Sequence, residues 1–93
     1  MKDIKVLRSE IDAIDSKLIE LFEQRMETAL SIAKYKKENN VDVFNASREQ
    51  EIISRGERML CNKNLKVPLH KFLNCIMEIS KEVQNGVLPL KRI

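Results

Sequence analysis

Aromatic side chains are scarce in this chain of 93 residues, which has one Tyr, three Phe and no Trp. Proteins that bind single strands or flipped bases stack them on aromatic rings, so this scarcity argues against base recognition. The formal net charge of +3 is also small, because acidic residues are interleaved with basic ones. We therefore predict no nucleic-acid partner and at most a local site for a small anion.

The few histidine, cysteine and glycine residues limit the chemistry further. A single histidine, His70, leaves little material for a catalytic triad or a zinc site, and no Gly-rich phosphate loop is present. Cys61 and Cys75 form no motif with each other or with His70. Two buried, reduced thiols are the favoured interpretation and a disulfide the less favoured one. We predict no metal and no cofactor, and a His70 that is partly exposed.

Long hydrophobic runs are also missing. The first six residues, Met1 to Val6, carry charges where a signal peptide would have an apolar stretch. No apolar run approaches the length that spans a membrane. These features predict a soluble, cytoplasmic chain with no membrane partner.

The first helix is predicted from an unbroken segment, since none of the two Gly and two Pro residues precedes Gly56. Apolar residues alternate in steps of three and four, which is the spacing of one helix face. They are Ile4, Leu7, Ile11, Ile14, Leu18 and Leu21. We predict a helix over about 3–39 that ends at Asn39 and Asn40.

The second helix is predicted over about 48–61. Ser47 is a candidate N-cap, and Gln50 three residues later completes a capping box. Gly56 either weakens this helix by about 1 kcal/mol relative to Ala or admits a close neighbour. Its apolar residues are expected to be buried; they are Ile52, Ile53, Met59 and Leu60.

The third helix is predicted over about 68–85, with Pro68 in its first turn and Asn85 and Gly86 at its end. The tail from Leu88 to Ile93 is expected to be loosely held. The whole chain, 1–93, is predicted to be one all-α domain of three helices, one very long and two shorter.

The length of the first helix predicts association with a second copy. A helix over 3–39 is about 54 Å long. A compact chain of this size has a radius of gyration near 12 Å, and hence a diameter of roughly 30 Å. Two short helices cannot cover so long an apolar stripe, so we predict an intertwined homodimeric helical bundle.

Polar residues interrupt the apolar faces at a few positions. The rhythm of the first helix, continued past Leu21, reaches Arg25, and Lys36 lies three helical turns further on nearly the same face. Ser80 and Gln84 lie one turn apart at the edge of the third helix's apolar face. Each of them alone is typical of an ordinary surface residue. Two cations on a core-facing stripe without acids at matching positions need an anion or a partner from elsewhere, so the pattern favours an anion pocket and identifies no substrate.

Five short blocks follow one another at fitting intervals: residues 7–15 (LRSEIDAID), 21–25 (LFEQR), 32–36 (IAKYK), 43–49 (VFNASRE) and 79–84 (ISKEVQ). Together they resemble the all-helical chorismate mutase family over about residues 7 to 84. The resemblance implies the rearrangement of chorismate to prephenate in the biosynthesis of Phe and Tyr, with neither cofactor nor metal.

The resemblance also implies roles for four residues of the first and third helices. Arg25 would bind a substrate carboxylate in its own subunit, and Arg8 would reach across the homodimer into the other site. Lys36 and Gln84 would flank the ether oxygen of the breaking bond.

Four further positions complete the implied site. Glu49 would accept a hydrogen bond from the ring hydroxyl, Arg48 would line the pocket, and Ser80 would contact a carboxylate. Asn45 departs from the family pattern, in which Asp is frequent. If that position acts mainly through its backbone, Asn should be tolerated; if its charge matters, binding should weaken.

Two other functions are compatible with the resemblance. An isochorismate pyruvate lyase shares the fold and several pocket residues, and it breaks the same kind of ether bond. A non-catalytic helical dimerisation or regulatory module would keep the fold alone. The complete set of polar residues favours an enzyme over that module.

Overall fold

Residues 2–86, which the computed structural model describes, form three α-helices and one short 3-10 helix and contain no strand. The helices are α1 (Ile4–Glu38), α2 (Ala46–Met59) and α3 (Lys66–Gln84), and the 3-10 turn Lys63–Leu65 precedes α3. The predicted all-α fold is confirmed. The tail predicted to be loosely held lies outside the described residues, and the single-domain prediction for 1–93 stays a prediction.

Helix α1 has a polar cap residue at each end, where its terminal backbone groups need partners. The Asp3 carboxylate accepts a hydrogen bond from the Lys5 amide. At the other end Asn39 is the C-cap and Asn40 adopts a left-handed φ of 54°, a conformation that Asn tolerates well. The predicted end at Asn39 and Asn40 is confirmed.

The apolar stripe of α1 is not covered by its own chain. Its six residues, Ile4 to Leu21, are all between 40% and 60% exposed. The described residues extend 56 × 36 × 17 Å with a radius of gyration of 16.3 Å, well above the value near 12 Å of a compact domain. The expected mismatch between α1 and the two shorter helices is therefore present.

The core lies where α3 crosses the C-terminal half of α1. Within residues 2–86 the buried side chains come only from these two helices. They are Met26, Ala29, Met77, Ser80 and Val83. An apolar groove of about 390 Å³ opens between the same helices nearer the start of α1. Leu18, Leu21 and Phe22 line it from α1, and Phe72 and Ile76 line it from α3.

The prediction that Ser47 caps the second helix is wrong. The N-cap is Asn45, whose backbone is extended and whose side-chain oxygen accepts a hydrogen bond of 3.0 Å from the Arg48 amide. Ser47 is already the second helical residue. Asn and Ser are about equally good caps, so the apparent capping box with Gln50 favoured the wrong residue.

Helix α3 begins at Lys66, two residues before the predicted start, because the 3-10 turn leads directly into it. Pro68 lies in the first turn as predicted, where its missing amide hydrogen is not needed. At the other end Asn85 is the C-cap and Gly86 has a φ of 74°. This confirms the predicted ending, since Gly adopts a left-handed conformation without steric cost.

Three predicted burials are wrong for the single chain. Cys61 and Cys75 are free and exposed, and Met59 is 71% exposed. Helix α2 packs on α3 along one face only, and Met59 and Cys61 lie at and beyond its end. Ile52, Ile53 and Leu60 are half-buried. A chain of this size buries only a small part of its surface, so few side chains can be fully buried.

Gly56 allows α2 and α3 to approach closely. A Cβ atom at this position would lie 2.8 Å from Cδ1 of Leu73 and 3.3 Å from Cδ2 of Leu69. Of the two explanations offered for this glycine, the close neighbour is the one that the packing confirms.

An ionic cluster also joins α2 to α3. The Glu57 carboxylate pairs with the half-buried His70 ring, as well as with Lys66 Nζ at 3.6 Å. The hydrogen bond from His70 has the largest effect on Glu57 and lowers its pKa below the usual 4.5; burial acts in the opposite direction, and the charge of Lys66 adds a smaller lowering. His70 is partly exposed, as predicted.

This cluster should make stability depend on pH on the acidic side. A carboxylate whose pKa is lower in the folded state stabilises that state above the unfolded pKa. We therefore expect a Glu57-dependent part of the unfolding free energy to be present above pH 4.5 and to be lost as the pH falls through the lower folded pKa. Urea unfolding at a series of acidic pH values should show a shallower decline for Glu57→Gln. A decline of identical slope in both proteins would contradict the expectation.

Candidate active site

A polar cavity of about 510 Å³ lies between the C-terminal half of α1, the linker 39–45, the start of α2 and the end of α3. Its size is within the usual range for small-molecule sites, roughly 300–1,000 Å³. Apolar side chains form part of its wall, including Ala29, Ile32, Ile52 and Met77. The cavity therefore combines a partly apolar enclosure with a small number of polar groups.

Seven of the eight predicted site residues line this polar cavity. They are Arg25, Lys36, Asn45, Arg48, Glu49, Ser80 and Gln84. Among the described residues of the predicted set, Arg8 is the one that lies elsewhere. It is exposed on α1, 17 residues before Arg25, which corresponds to about 25 Å along the helix axis. Arg8 therefore cannot reach the cavity of its own chain.

The charges around the cavity are unbalanced. Among the described residues that line it, four are cationic, namely Arg25, Lys36, Arg48 and Lys81, whereas only Glu49 and Glu51 are acidic. Burial, and secondly the nearby Arg48 guanidinium, lower the pKa of Arg25. A guanidinium stays protonated all the same, so the lowered pKa reports a cation that is first of all partly removed from water and secondly crowded by a like charge. An anion carrying about two charges would relieve that crowding.

Lys36 is held in place before any ligand arrives. Its ammonium donates a hydrogen bond of 2.7 Å to the Val43 carbonyl oxygen, which ties the last turn of α1 to the linker. The negative end of the helix dipole favours a cation at this position. An ammonium has three donors, so the bond to Val43 leaves donors for a ligand.

Ser80 and Gln84 meet one turn apart on α3. Gln84 Nε2 donates to Ser80 Oγ at 3.3 Å, and Ser80 itself is buried. Gln84 Oε1 is the one buried side-chain polar atom of residues 2–86 that lacks a hydrogen-bond partner. An unpaired buried acceptor is costly, by about 1–3 kcal/mol, so this amide is incompletely satisfied.

Arg48 and Asn45 are engaged locally at the start of α2. The Arg48 guanidinium forms a salt bridge of 2.6 Å with Glu51, and both side chains are more than half exposed. Asn45 uses its side-chain oxygen to cap the helix. Asp and Asn cap helices about equally well, so the departure from Asp leaves this structural role intact.

Replacements of Asn45 should separate capping from charge. We expect Asn45→Ala to lower the unfolding free energy by about 1 kcal/mol, the usual loss for a removed N-cap, whereas Asn45→Asp should leave it nearly unchanged. Urea denaturation followed by circular dichroism measures both. Equal destabilisation by the two replacements would contradict the capping role.

Sequence reasoning missed Lys81, a further cation of the cavity. Its Nζ lies 3.1 Å from Glu49 and 2.7 Å from Glu78, and 5.0 Å from the centre of the Phe44 ring. The hydrogen bonds that Lys81 donates to Glu78 and Glu49 raise its pKa. The only signal in the sequence was its place beside Ser80, and the spacing to Glu78 is that of an ordinary surface pair.

No helix within residues 2–86 is both long and apolar enough to cross a membrane. The same residues contain no cluster of three or more His, Cys, Asp or Glu side chains suited to a metal ion.

Comparisons with known proteins identify the family. The chain matches chorismate mutase type II over residues 7–85. It is 29% identical over 89 residues to the bifunctional chorismate mutase/prephenate dehydratase of Aquifex aeolicus, covering 96% of this chain and 19% of that protein. It is 39% identical over 49 residues to the T-protein of Haemophilus influenzae, covering 53% of this chain and 13% of that protein.

The fold has a counterpart among solved structures. A conserved hypothetical protein from Pyrococcus furiosus superposes with a TM-score of 0.73 and 36% identity, covering 87% of this chain and 93% of the other. The family match covers most of the chain and includes seven residues around one cavity. The chain belongs to the chorismate mutase type II family.

Proposed function

We propose that the chain catalyses the pericyclic rearrangement of chorismate to prephenate, a step towards Phe and Tyr. The observation that carries the proposal is the polar cavity, in which seven predicted residues meet and cations outnumber acids by two. Chorismate has two carboxylates, so its charge matches that excess. Family membership supports the same substrate.

Binding would fix the substrate in its reactive shape. Arg25 and Arg48 can each donate two parallel hydrogen bonds to a carboxylate, and Ser80 can add a third donor. Glu49 would accept the hydrogen bond of the ring hydroxyl. Holding a flexible dianion in its compact conformer removes much of the entropic part of the barrier.

Lys36 and Gln84 would stabilise the transition state. In this reaction a C–O bond breaks while a C–C bond forms, and no proton, nucleophile or electron acceptor is required. Negative charge grows on the ether oxygen as the C–O bond stretches. An ammonium and an amide donor aimed at that oxygen bind the transition state more tightly than the substrate.

The unsatisfied amide of Gln84 fits this role. Nε2 carries two hydrogens, and the bond to Ser80 Oγ uses one of them. The other can be donated to the ether oxygen, and the Ser80 hydroxyl keeps its own proton for a carboxylate.

A second copy of the chain would complete the site. The α1 stripe and the apolar groove are open, and Arg8 lies too far along α1 to serve its own cavity. Two antiparallel α1 helices that place Arg8 of one copy level with Arg25 of the other also bring Ile11 level with Phe22. The same arrangement therefore covers the stripe and delivers a further guanidinium to each cavity.

The decay of chorismate absorbance, with products separated by chromatography, tests the proposal. We expect prephenate as the product. Conversion of isochorismate to salicylate and pyruvate, with chorismate left unchanged, would identify a lyase instead. A folded dimer that turns over neither compound would identify a non-catalytic helical module.

A further inference from the structure

We propose that Lys81 is a positioning residue that holds the Glu49 carboxylate at the wall of the polar cavity. The proposal rests on the proposed function, in which Glu49 accepts the hydrogen bond of the ring hydroxyl. The family resemblance assigned no role to Lys81. Its contact with the predicted site residues is the ion pair with Glu49.

The geometry around Lys81 joins three parts of the chain. Its ammonium reaches Glu49 on α2 at 3.1 Å and Glu78 on its own helix at 2.7 Å. It also lies over the Phe44 ring of the linker, 5.0 Å from the ring centre, within the range of a cation–π contact. The contact with Glu49 therefore connects α2 to α3 beside the cavity.

Solvent screens this contact less than an ordinary surface pair. The side chains of Lys81 and Glu49 are only 22% and 27% exposed, whereas Glu78 is 68% exposed. Partly buried pairs keep more of their attraction than exposed ones. Both Lys81 and Glu49 line the cavity, and Glu78 does not. Glu49 is thus the partner through which Lys81 acts on the site.

Within residues 2–86 the Glu49 carboxylate has Lys81 as its one hydrogen-bonding or ionic partner. No residue of Ala46–Met59 is buried, and a glutamate on such a helix can adopt several rotamers. A carboxylate that is held before the substrate arrives loses less freedom on binding. Lys81 supplies that restraint and keeps a carboxylate beside a cavity otherwise dominated by cations.

Steady-state kinetics of four proteins test the proposal: wild type, Lys81→Met, Glu49→Gln and the double variant. We expect Lys81→Met to lower kcat/KM for chorismate about ten-fold, a factor within the coupling range of residues in contact. The loss should fall mainly on KM, since the ring hydroxyl is present in substrate and transition state alike. In the Glu49→Gln background the same replacement should change kcat/KM less than about two-fold.

This design separates positioning from a general charge effect. If Lys81 merely attracted the dianion, its loss would cost as much in the Glu49→Gln background as in wild type, and that result would overturn the proposal. Lys81→Arg should recover most of the activity, because an arginine can keep the pair. Glu78→Gln is the matched control, and it should leave kcat/KM nearly unchanged, since Glu78 lies outside the cavity.

A failure of the proposed function would be distinguishable from a failure of the proposal for Lys81. No turnover of chorismate by the wild-type protein would reject that function and, with it, a role for Lys81 in this reaction. Urea unfolding of the same four proteins would then report the contact itself. Additive effects on the unfolding free energy would reject the Lys81–Glu49 pair, and non-additive effects would retain it as a structural link.

Discussion

Lys36→Ala is expected to lower kcat for chorismate by about 10²–10³-fold, the usual loss for one donor aimed at a developing oxyanion. Lys36 would stabilise charge that appears on the ether oxygen only as the bond breaks, so KM should change less than kcat. The replacement also removes the bond to the Val43 carbonyl. Circular dichroism and gel filtration should therefore accompany the kinetics, and both should match wild type.

The neighbouring Lys37 offers a matched control. It lies in the same last turn of α1 but is exposed and does not line the polar cavity. Lys37→Ala removes the same charge from the same helix end and should leave kcat within about two-fold of wild type, as expected of a surface change. A kcat for Lys36→Ala that stays within ten-fold of wild type would show that Lys36 does not stabilise the transition state.

Arg8→Ala is expected to inactivate the protein although Arg8 lies about 25 Å along the helix from its own cavity. The reason is that each cavity would receive Arg8 from a second copy. Mixing Arg8→Ala with Arg25→Ala should then restore activity after the subunits exchange. Half of the dimers would be mixed, and each would hold one intact site, so about a quarter of wild-type activity should return in a two-fold dimer.

A second mixture controls for effects other than a shared site. Arg25 and Lys36 line the same cavity of one chain. Mixing Arg25→Ala with Lys36→Ala therefore leaves every site with a lesion, and no activity should return. Rescue in this control, or no rescue of Arg8→Ala despite demonstrated exchange, would show that Arg8 is not shared between subunits.

Helix periodicity and family resemblance together selected eight residues, seven of which the structure brings to one cavity. Arg25 and Lys36 share a face because three turns separate them, and the crossing of α1 with α3 brings Ser80 and Gln84 to that face. These relations depend on regular helix geometry, which the apolar spacing already defines. Kinetics of the variants described above tests the roles assigned to these residues.

Lys81 and Asn45 are positions at which the local sequence pattern did not predict the contact that the structure shows. The partner of Lys81 in the cavity lies 32 residues earlier, and only the packing of α2 against α3 brings the two together. Asn45 and Ser47 are both good capping residues, and the extended backbone conformation of Asn45 makes it the N-cap. The burial of Met59 and Cys61 was overestimated because apolar character alone does not determine whether a helix face finds a partner.

The open apolar stripe of α1 has a consequence for enzymology at low protein concentration. If each working site takes Arg8 from another molecule, dilution below the dissociation constant of the dimer removes that guanidinium from the site. Specific activity should then fall as the assay is diluted, while KM measured on the remaining dimers stays constant. Rates recorded at very different protein concentrations could be compared only after correction for the fraction of chains that are paired.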